Sequence, residues 1–357
     1  GPKSAGSDPG PACYDRGGMS PTVTDADLVL GYLDAENYAG GDIPLNPKRS
    51  NFAIEETLCD DLDIEVVEAA MMIKEKVDAN MANGVNTELR ARGYDPEEFT
   101  MLAYGGNGPL HCCGIASRLN INKILATPMS SVFSAVGAGN MHQMHIHEAS
   151  LFMVLYDSNN RKVFDNYPRF NDIVTELSEK GLADLSRQGA NEADIKHTLE
   201  LDMRYGNQLV QTTVVIPKHN VESALDVLNI LDLFSTDYGK RFGEGSQAPE
   251  AGIRINTIRV ASYVEHDTVH FKHIKPVAED KRKAPPKPSS TRKCYFVGES
   301  KAIDTPVWNK DDIPAGTQIE GPGIVASDVT TYLIEKGWNY VSAEQGAVWF
   351  LRDEVKK

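Results

Sequence analysis

Apolar residues recur at helical strides from Ile64 to Arg92 (Val66, Ala70, Ile73, Val77, Met81, Val85, Leu89), and Gly93 stands where a glycine commonly ends a helix. This predicts one long amphipathic helix. The pattern then shortens: Phe99 to Tyr104 predicts a buried strand, Gly105-Gly106-Asn107-Gly108-Pro109 a turn, Leu110 to Leu119 a helix and Ile121 to Ala126 a second strand. That order predicts an α/β layer with a crossover connection. Residues 1–50 are dense in Gly, Pro and Asp and carry one helix signal, with Thr24 as N-cap and Asp25 and Asp27 in the first turn before Leu28-Val29-Leu30.

Between residues 170 and 265 the pattern predicts an α+β unit. Its elements are a helix (Phe170 to Gln188), two strands (His197 to Tyr205, Leu209 to Ile216), a helix (Val221 to Phe242) and a strand (Ile253 to Val264). Lys275 to Arg292, rich in Lys, Pro and Ser, predicts a linker without ordered backbone pairing. Cys294 to Arg352 predicts short strands broken by Pro314-Ala315-Gly316, Gly321-Pro322-Gly323 and Gly346. The expected domains are therefore an α/β domain (1–150), an α+β domain (151–274), a linker (275–292) and a small β-rich domain (293–357).

Composition adds limits. A chain of 357 residues exceeds one ordinary core, and 41% hydrophobic with 24% charged residues is typical of globular proteins. No apolar run reaches the roughly 18 residues a membrane span needs. The net charge of -15, with one short basic cluster from Lys281 to Lys287, disfavours nucleic acid or anionic membrane as a partner. Five cysteines (Cys13, Cys59, Cys112, Cys113, Cys294) match no zinc or redox spacing, so reduced thiols and a cytoplasmic location are expected. The opening Gly1-Pro2-Lys3-Ser4, without Met or signal peptide, reads as a fragment or a processed half.

Four features bear on chemistry. The turn Gly105-Gly106-Asn107-Gly108-Pro109, between strand and helix, lets a ligand approach the backbone; it could hold phosphate on its N–H groups, pack against a flat ribose and base, or be only a tight turn. His111, one turn further on, could reach such a ligand or sit buried with its own partners. Asp25 and the Asp8-Pro9-Gly10-Pro11 turn offer carboxylates to Mg²⁺ or a nucleotide, though capping also explains Asp25. His142, His145 and His147 share no single face: a helix would join 142 with 145, a strand 145 with 147. A metal there would need an irregular segment plus a carboxylate such as Glu148, and no zinc signature completes the set, so no metal site is expected.

Taken together, these residues resemble the hydantoinase A/oxoprolinase family over nearly the whole chain. The match runs from Gly1-Pro2-Lys3-Ser4-Ala5-Gly6-Ser7-Asp8-Pro9-Gly10-Pro11-Ala12-Cys13-Tyr14 through Pro21-Thr22-Val23-Thr24-Asp25-Ala26 to Gly105–His111, where Asn107 replaces the usual Ala. It continues in Val132-Phe133-Ser134-Ala135, Met203-Arg204-Tyr205 with Gln208, Tyr238-Gly239, and Pro314 to Gly323. The resemblance implies part of an actin-like (ribonuclease H-like) ATPase domain, with Gly105–Pro109 as its adenosine-binding element and ATP with Mg²⁺ as cofactors. The family's phosphate-binding DxGGTxxD-type loops do not occur here, so half of an ATP site is expected. The stretch Met129 to Asn140 and the following histidines look most similar to acetone carboxylase β subunits. That implies a hetero-oligomer with α and γ subunits, manganese on the α subunit, and activation of bicarbonate and a small ketone by phosphorylation, forming AMP and phosphate. An ATP-dependent amidohydrolase of the hydantoinase or 5-oxoprolinase type, and a non-catalytic docking module, are the alternatives.

Overall fold

A computed structural model describes residues 4–268 and 274–353; residues 1–3 of the opening motif and 354–357 of the expected last domain lie outside the described residues. In chain order the helices and strands of the first half are α1 (Val23–Val29), α2 (Pro47–Ile54), α3 (Asp60–Leu62), α4 (Val66–Ala91), β1 (Met101–Ala103), α5 (Gly108–Arg118), β2 (Lys123–Ala126), α6 (Phe133–Gly139), β3 (Gln143–Asp157), β4 (Lys162–Val163) and α7 (Tyr167–Arg187). There follow β5 (Ile195–Tyr205), β6 (Thr212–Ile216), α8 (Ala224–Phe242), β7 (Ile253–Val264), β8 (Ser290–Cys294), β9 (Ile303–Asn309), β10 (Gln318–Glu320), β11 (Gly323–Ala326), β12 (Thr331–Ile334), β13 (Trp338–Ser342) and β14 (Val348–Arg352). No helix among the described residues is long and apolar enough to cross a membrane.

The chain packs as two units, one from residues 1–90, 95–137 and 271–357, the other from 91–94 and 138–270. In the first, β1 and β2 pair in parallel across α5, the crossover the pattern predicts. The free edge of β2 is then taken by β14, antiparallel, with Ile124 opposite Phe350 and Leu125 opposite Trp349, and the sheet continues through β13 to β10. A second sheet, in the order β12-β11-β9-β8, completes the unit. Ile115 and Ala116 of α5 and its C-cap Leu119 share one core with Trp308, Tyr332, Trp338, Tyr340 and Phe350. Tyr340 and Phe350 meet edge-on with ring centroids 5.9 Å apart, the arrangement favoured by the ring quadrupoles.

This corrects the expected division of the chain. Residues 293–353 share a core with the α/β layer, and β10, β13 and β14 share its sheet, instead of forming a domain of their own, because β2 needs a partner on its open edge and finds it more than two hundred residues downstream. The expected linker is paired as well. Lys283 donates its N–H to the Gly316 carbonyl and accepts from the Gln318 N–H, each at 2.9 Å, and the Trp308 indole donates to the Pro286 carbonyl at 2.8 Å. Ser290 onward is strand β8. Prolines bar this stretch from a sheet interior but leave it free to pair at edges.

The second unit is an antiparallel sheet in the order β4-β3-β7-β5-β6. Alternate residues Leu199, Leu201, Met203 and Tyr205 of β5 are fully buried with Phe170, Val174 and Leu177 of α7 and Val227, Ile230 and Phe234 of α8. On the other parity, Arg259 bridges Glu148, Glu200 and Asp202. The long strand β3 is a departure from the sequence reading, which left 143–157 without an element.

Helix α1 begins two residues earlier than expected: Thr22, not Thr24, is the N-cap, and Asp25 closes a reciprocal capping box with it. Asp25 is fully buried, and its carboxylate accepts from the N–H groups of Ala12, Cys13 and Thr22 and from the hydroxyls of Thr22 and Ser50, at 2.7–3.1 Å. Burial, followed by the Asp25 carboxylate, pushes the Cys13 thiol up to about 12, in keeping with an inert reduced cysteine. All five cysteines are free and buried.

A chain of buried charges crosses α1, α4 and α5. Lys74 lies 2.7 Å from Asp78, one turn along α4, and 2.8 Å from Glu335. His111 of α5 holds Asp78 through Nδ1 at 2.8 Å and faces Asp27 of α1 through Nε2 at 3.3 Å. Gly114 permits the crossing, since a Cβ there would collide with the Asp78 carboxylate. Burial alone would push the His111 imidazole down, but the carboxylates of Asp27 and Asp78 overcome it and raise it to about 9. Asp78 in turn is held below the usual carboxylate range, its burial outweighed by His111 and Lys74.

Two outcomes are expected. His111 is charged in the fold, so its contribution is complete below the ordinary imidazole value near 6.5 and is lost as pH rises through about 9; the window is worth up to about 3 kcal/mol. Thermal unfolding followed from pH 6.5 to 9.5 should show stability falling, and His111→Gln should flatten that slope; an unchanged slope in the variant would refute the assignment. Asp25→Asn replaces an acceptor of five hydrogen bonds with a group that must turn an NH₂ toward donors, and urea denaturation should register a loss of about 2–3 kcal/mol.

Candidate functional site

Strand β1 delivers the chain into Gly105, whose φ of +85° only glycine adopts readily. The turn is fastened at two points: the Gly105 N–H donates to the Ser130 carbonyl at 2.7 Å, and the Thr330 hydroxyl donates to the Gly106 carbonyl at 2.7 Å. Asn107 caps α5 without a side-chain hydrogen bond, Gly108 begins the helix, and Pro109 sits buried in its first turn, where no N–H is needed. Gly106 differs from Gly105. Its φ is not left-handed, and a Cβ on either glycine would meet nothing within 4 Å. The fold itself gives no reason for glycine at 106. Bare backbone facing open space is what close approach of a second molecule requires.

The bond from Gly105 to Ser130 joins the turn to a second family segment. Tyr104 and Phe133 lie with ring centroids 5.5 Å apart, and Met129 and Val132 stand exposed beside them. An exposed apolar and aromatic rim next to stripped backbone suits a flat heteroaromatic ring better than a phosphate. Sequence reasoning missed Tyr104, Ser130 and Thr330. Thr330 is 224 positions from its acceptor, and no periodicity links them.

The other expected ligand contacts do not converge here. Asp25 is corrected: its oxygens are taken by five donors of the fold, leaving none for a nucleotide or Mg²⁺. His111 is a buried member of the charge chain, with Asp78 and Asp27 on its two ring nitrogens. Asp8 is exposed in its turn. The histidines belong to the other unit: His142 stacks on Tyr263, whereas His145 and His147 share the α7-facing side of β3 and meet Asp184, and Glu148 pairs with Arg259.

Comparison with known proteins bears on this geometry. Residues 1–147 match the hydantoinase/oxoprolinase family model, and residues 157–345 match the hydantoinase/oxoprolinase C-terminal domain. The chain is 36% identical over 94% of its length to the acetophenone carboxylase gamma subunit of Aromatoleum aromaticum, covering 45% of that protein. It is 24% identical over 95% of its length to the acetone carboxylase beta subunit of Xanthobacter autotrophicus, covering 47% of it. The crystal structure of ATP-dependent caprolactamase from Pseudomonas jessenii superposes with a TM-score of 0.77 at 26% identity, over 98% of this chain and 49% of that one. The chain thus spans about half the length of the curated relatives it matches. The mixed α/β architecture, the glycine turn and its partner segment at 129–133, and both family models agree: this chain belongs to the hydantoinase/oxoprolinase family.

Proposed function

We propose that the chain is the adenosine-holding part of an ATP-dependent carboxylase subunit, acting in a cytoplasmic hetero-oligomer that activates bicarbonate and a ketone by phosphorylation. Gly106 carries the reading, because neither its backbone angle nor its surroundings call for glycine while a bound ring lying on the turn would. The base packs against Gly105 and Gly106, with Tyr104, Met129 and Phe133 as rim. Thr330 and Ser130 hold the turn at the right height. In an actin-like arrangement the phosphates and their Mg²⁺ lie beyond this element. Asp25 does not fit as a Mg²⁺ ligand, so no metal step is assigned to it. The 36% identity to a carboxylase subunit favours carboxylation, with manganese carried by a partner subunit. The second reading, an ATP-dependent amide hydrolase, is favoured by the likeness to caprolactamase.

Turnover by the assembled enzyme separates the two. ATP consumption should require ketone together with bicarbonate and should yield AMP and phosphate; stimulation by a cyclic amide instead would overturn the carboxylase reading. Gly106→Trp fills the open space above the turn without disturbing it, and should weaken ATP at least about tenfold, or about 1.4 kcal/mol. Unchanged ATP affinity in a folded Gly106→Trp enzyme would remove the turn from the nucleotide site.

A further inference from the structure

Strand β3 places His145 and His147 on one side, two residues apart, at the end of the second unit's core. In register across the sheet, His145 lies opposite Ser262 and Ser262 opposite His197, so the apolar rows of the core give way here to a polar one. Helix α7 crosses this row. Gly181 lets it approach, since a Cβ at that position would collide with the Ser262 hydroxyl. One turn later Asp184 therefore comes down onto the two imidazoles.

We propose that His145, His147 and Asp184 bind a divalent transition-metal cation of the zinc class. Oδ2 of Asp184 lies 2.9 Å from His147 Nε2 and 3.8 Å from His145 Nδ1, and the three ligand atoms all fall within 4.8 Å of one another. Ligand bonds of about 2.0–2.1 Å in a tetrahedral shell put neighbouring donors about 3.3 Å apart, so closing any pair by no more than about 1.5 Å through side-chain rotation seats the ion. The other carboxylate oxygen, Oδ1, is bound by Arg187, which fixes the carboxylate's orientation as outer groups do around metal sites. The rings of His145 and His147 are nearly parallel, 14° apart, with centroids at 6.4 Å, and both are half-buried. Two imidazoles and a carboxylate are the donors zinc prefers, and three protein ligands leave a fourth position for water or another molecule. This reverses the expectation that the chain holds no metal of its own, and it does not depend on the nucleotide reading.

Isothermal titration of the chelator-stripped, full-length chain with Zn²⁺ tests it, alongside visible absorption on adding Co²⁺. One equivalent should bind near neutral pH, and a chelator in excess should remove it. His147→Ala and Asp184→Asn should each remove that equivalent or weaken it by more than about 100-fold, since even outer residues contribute 10–100-fold. Asp184→Asn keeps the size of the side chain and its hydrogen bond to His147, and so carries the test if His147→Ala does not fold. Identical Zn²⁺ isotherms in the parent chain and a folded variant, or no binding by the parent, would overturn the proposal.

Discussion

The first unit hangs on the crossing of α4 and α5, where Lys74, Asp78 and His111 meet buried Asp27 and half-buried Glu335. Two cations and three carboxylates occupy one interior. Removing one leaves its partner a buried, uncompensated charge. Gly114 is the steric condition for the crossing, and Asp27 brings in the N-terminal helix. Because α5 begins at the glycine turn, the crossing also sets where Gly105 and Gly106 stand relative to Ser130 and Thr330. The charges thus fix the place of a turn they never touch.

What could be read from residue order was what local spacing encodes. The stride of Val66 to Leu89 and the β1-turn-α5-β2 sequence appear in the fold within a few residues of where the pattern puts them. The α+β unit is equally visible, because alternation in β5 and β7 and the 3.6-residue period in α7 and α8 are each short-range signals. Contacts between distant segments left no such mark. Nothing in Val348 to Arg352 announces that it pairs with Ile124, and the turns around Gly316 and Gly323 look the same whether their strands form a domain or complete one. Proline-rich 275–292 was unreadable for a related reason: composition reports which pairings are barred, not which edges are open.

The candidate site divides along the same line. The turn was legible because glycine and proline at successive positions have few uses; its fasteners were not, because Ser130 and Thr330 are ordinary residues until the fold brings them near. Asp25 shows the reverse. A carboxylate in a conspicuous motif invites a ligand role, yet its oxygens are consumed by the backbone of the opening loop and by Ser50. The histidines stayed ambiguous until β3 chose the period of two, and Asp184, 37 positions from His147, could not be foreseen from either side.

The pairing of β2 with β14 has a consequence for the chain as it is made. Residues 101–126 reach the end of the ribosome long before residues 348–352 exist, so the strand after the glycine turn must wait with a bare edge while the whole of the intervening antiparallel sheet is synthesised. That sheet draws all its strands from residues 143–264 and is free to fold during the wait. The unit that holds the glycine turn is thereby the last to be completed, and an arrested or shortened product would expose an unpaired apolar strand rather than a partial site.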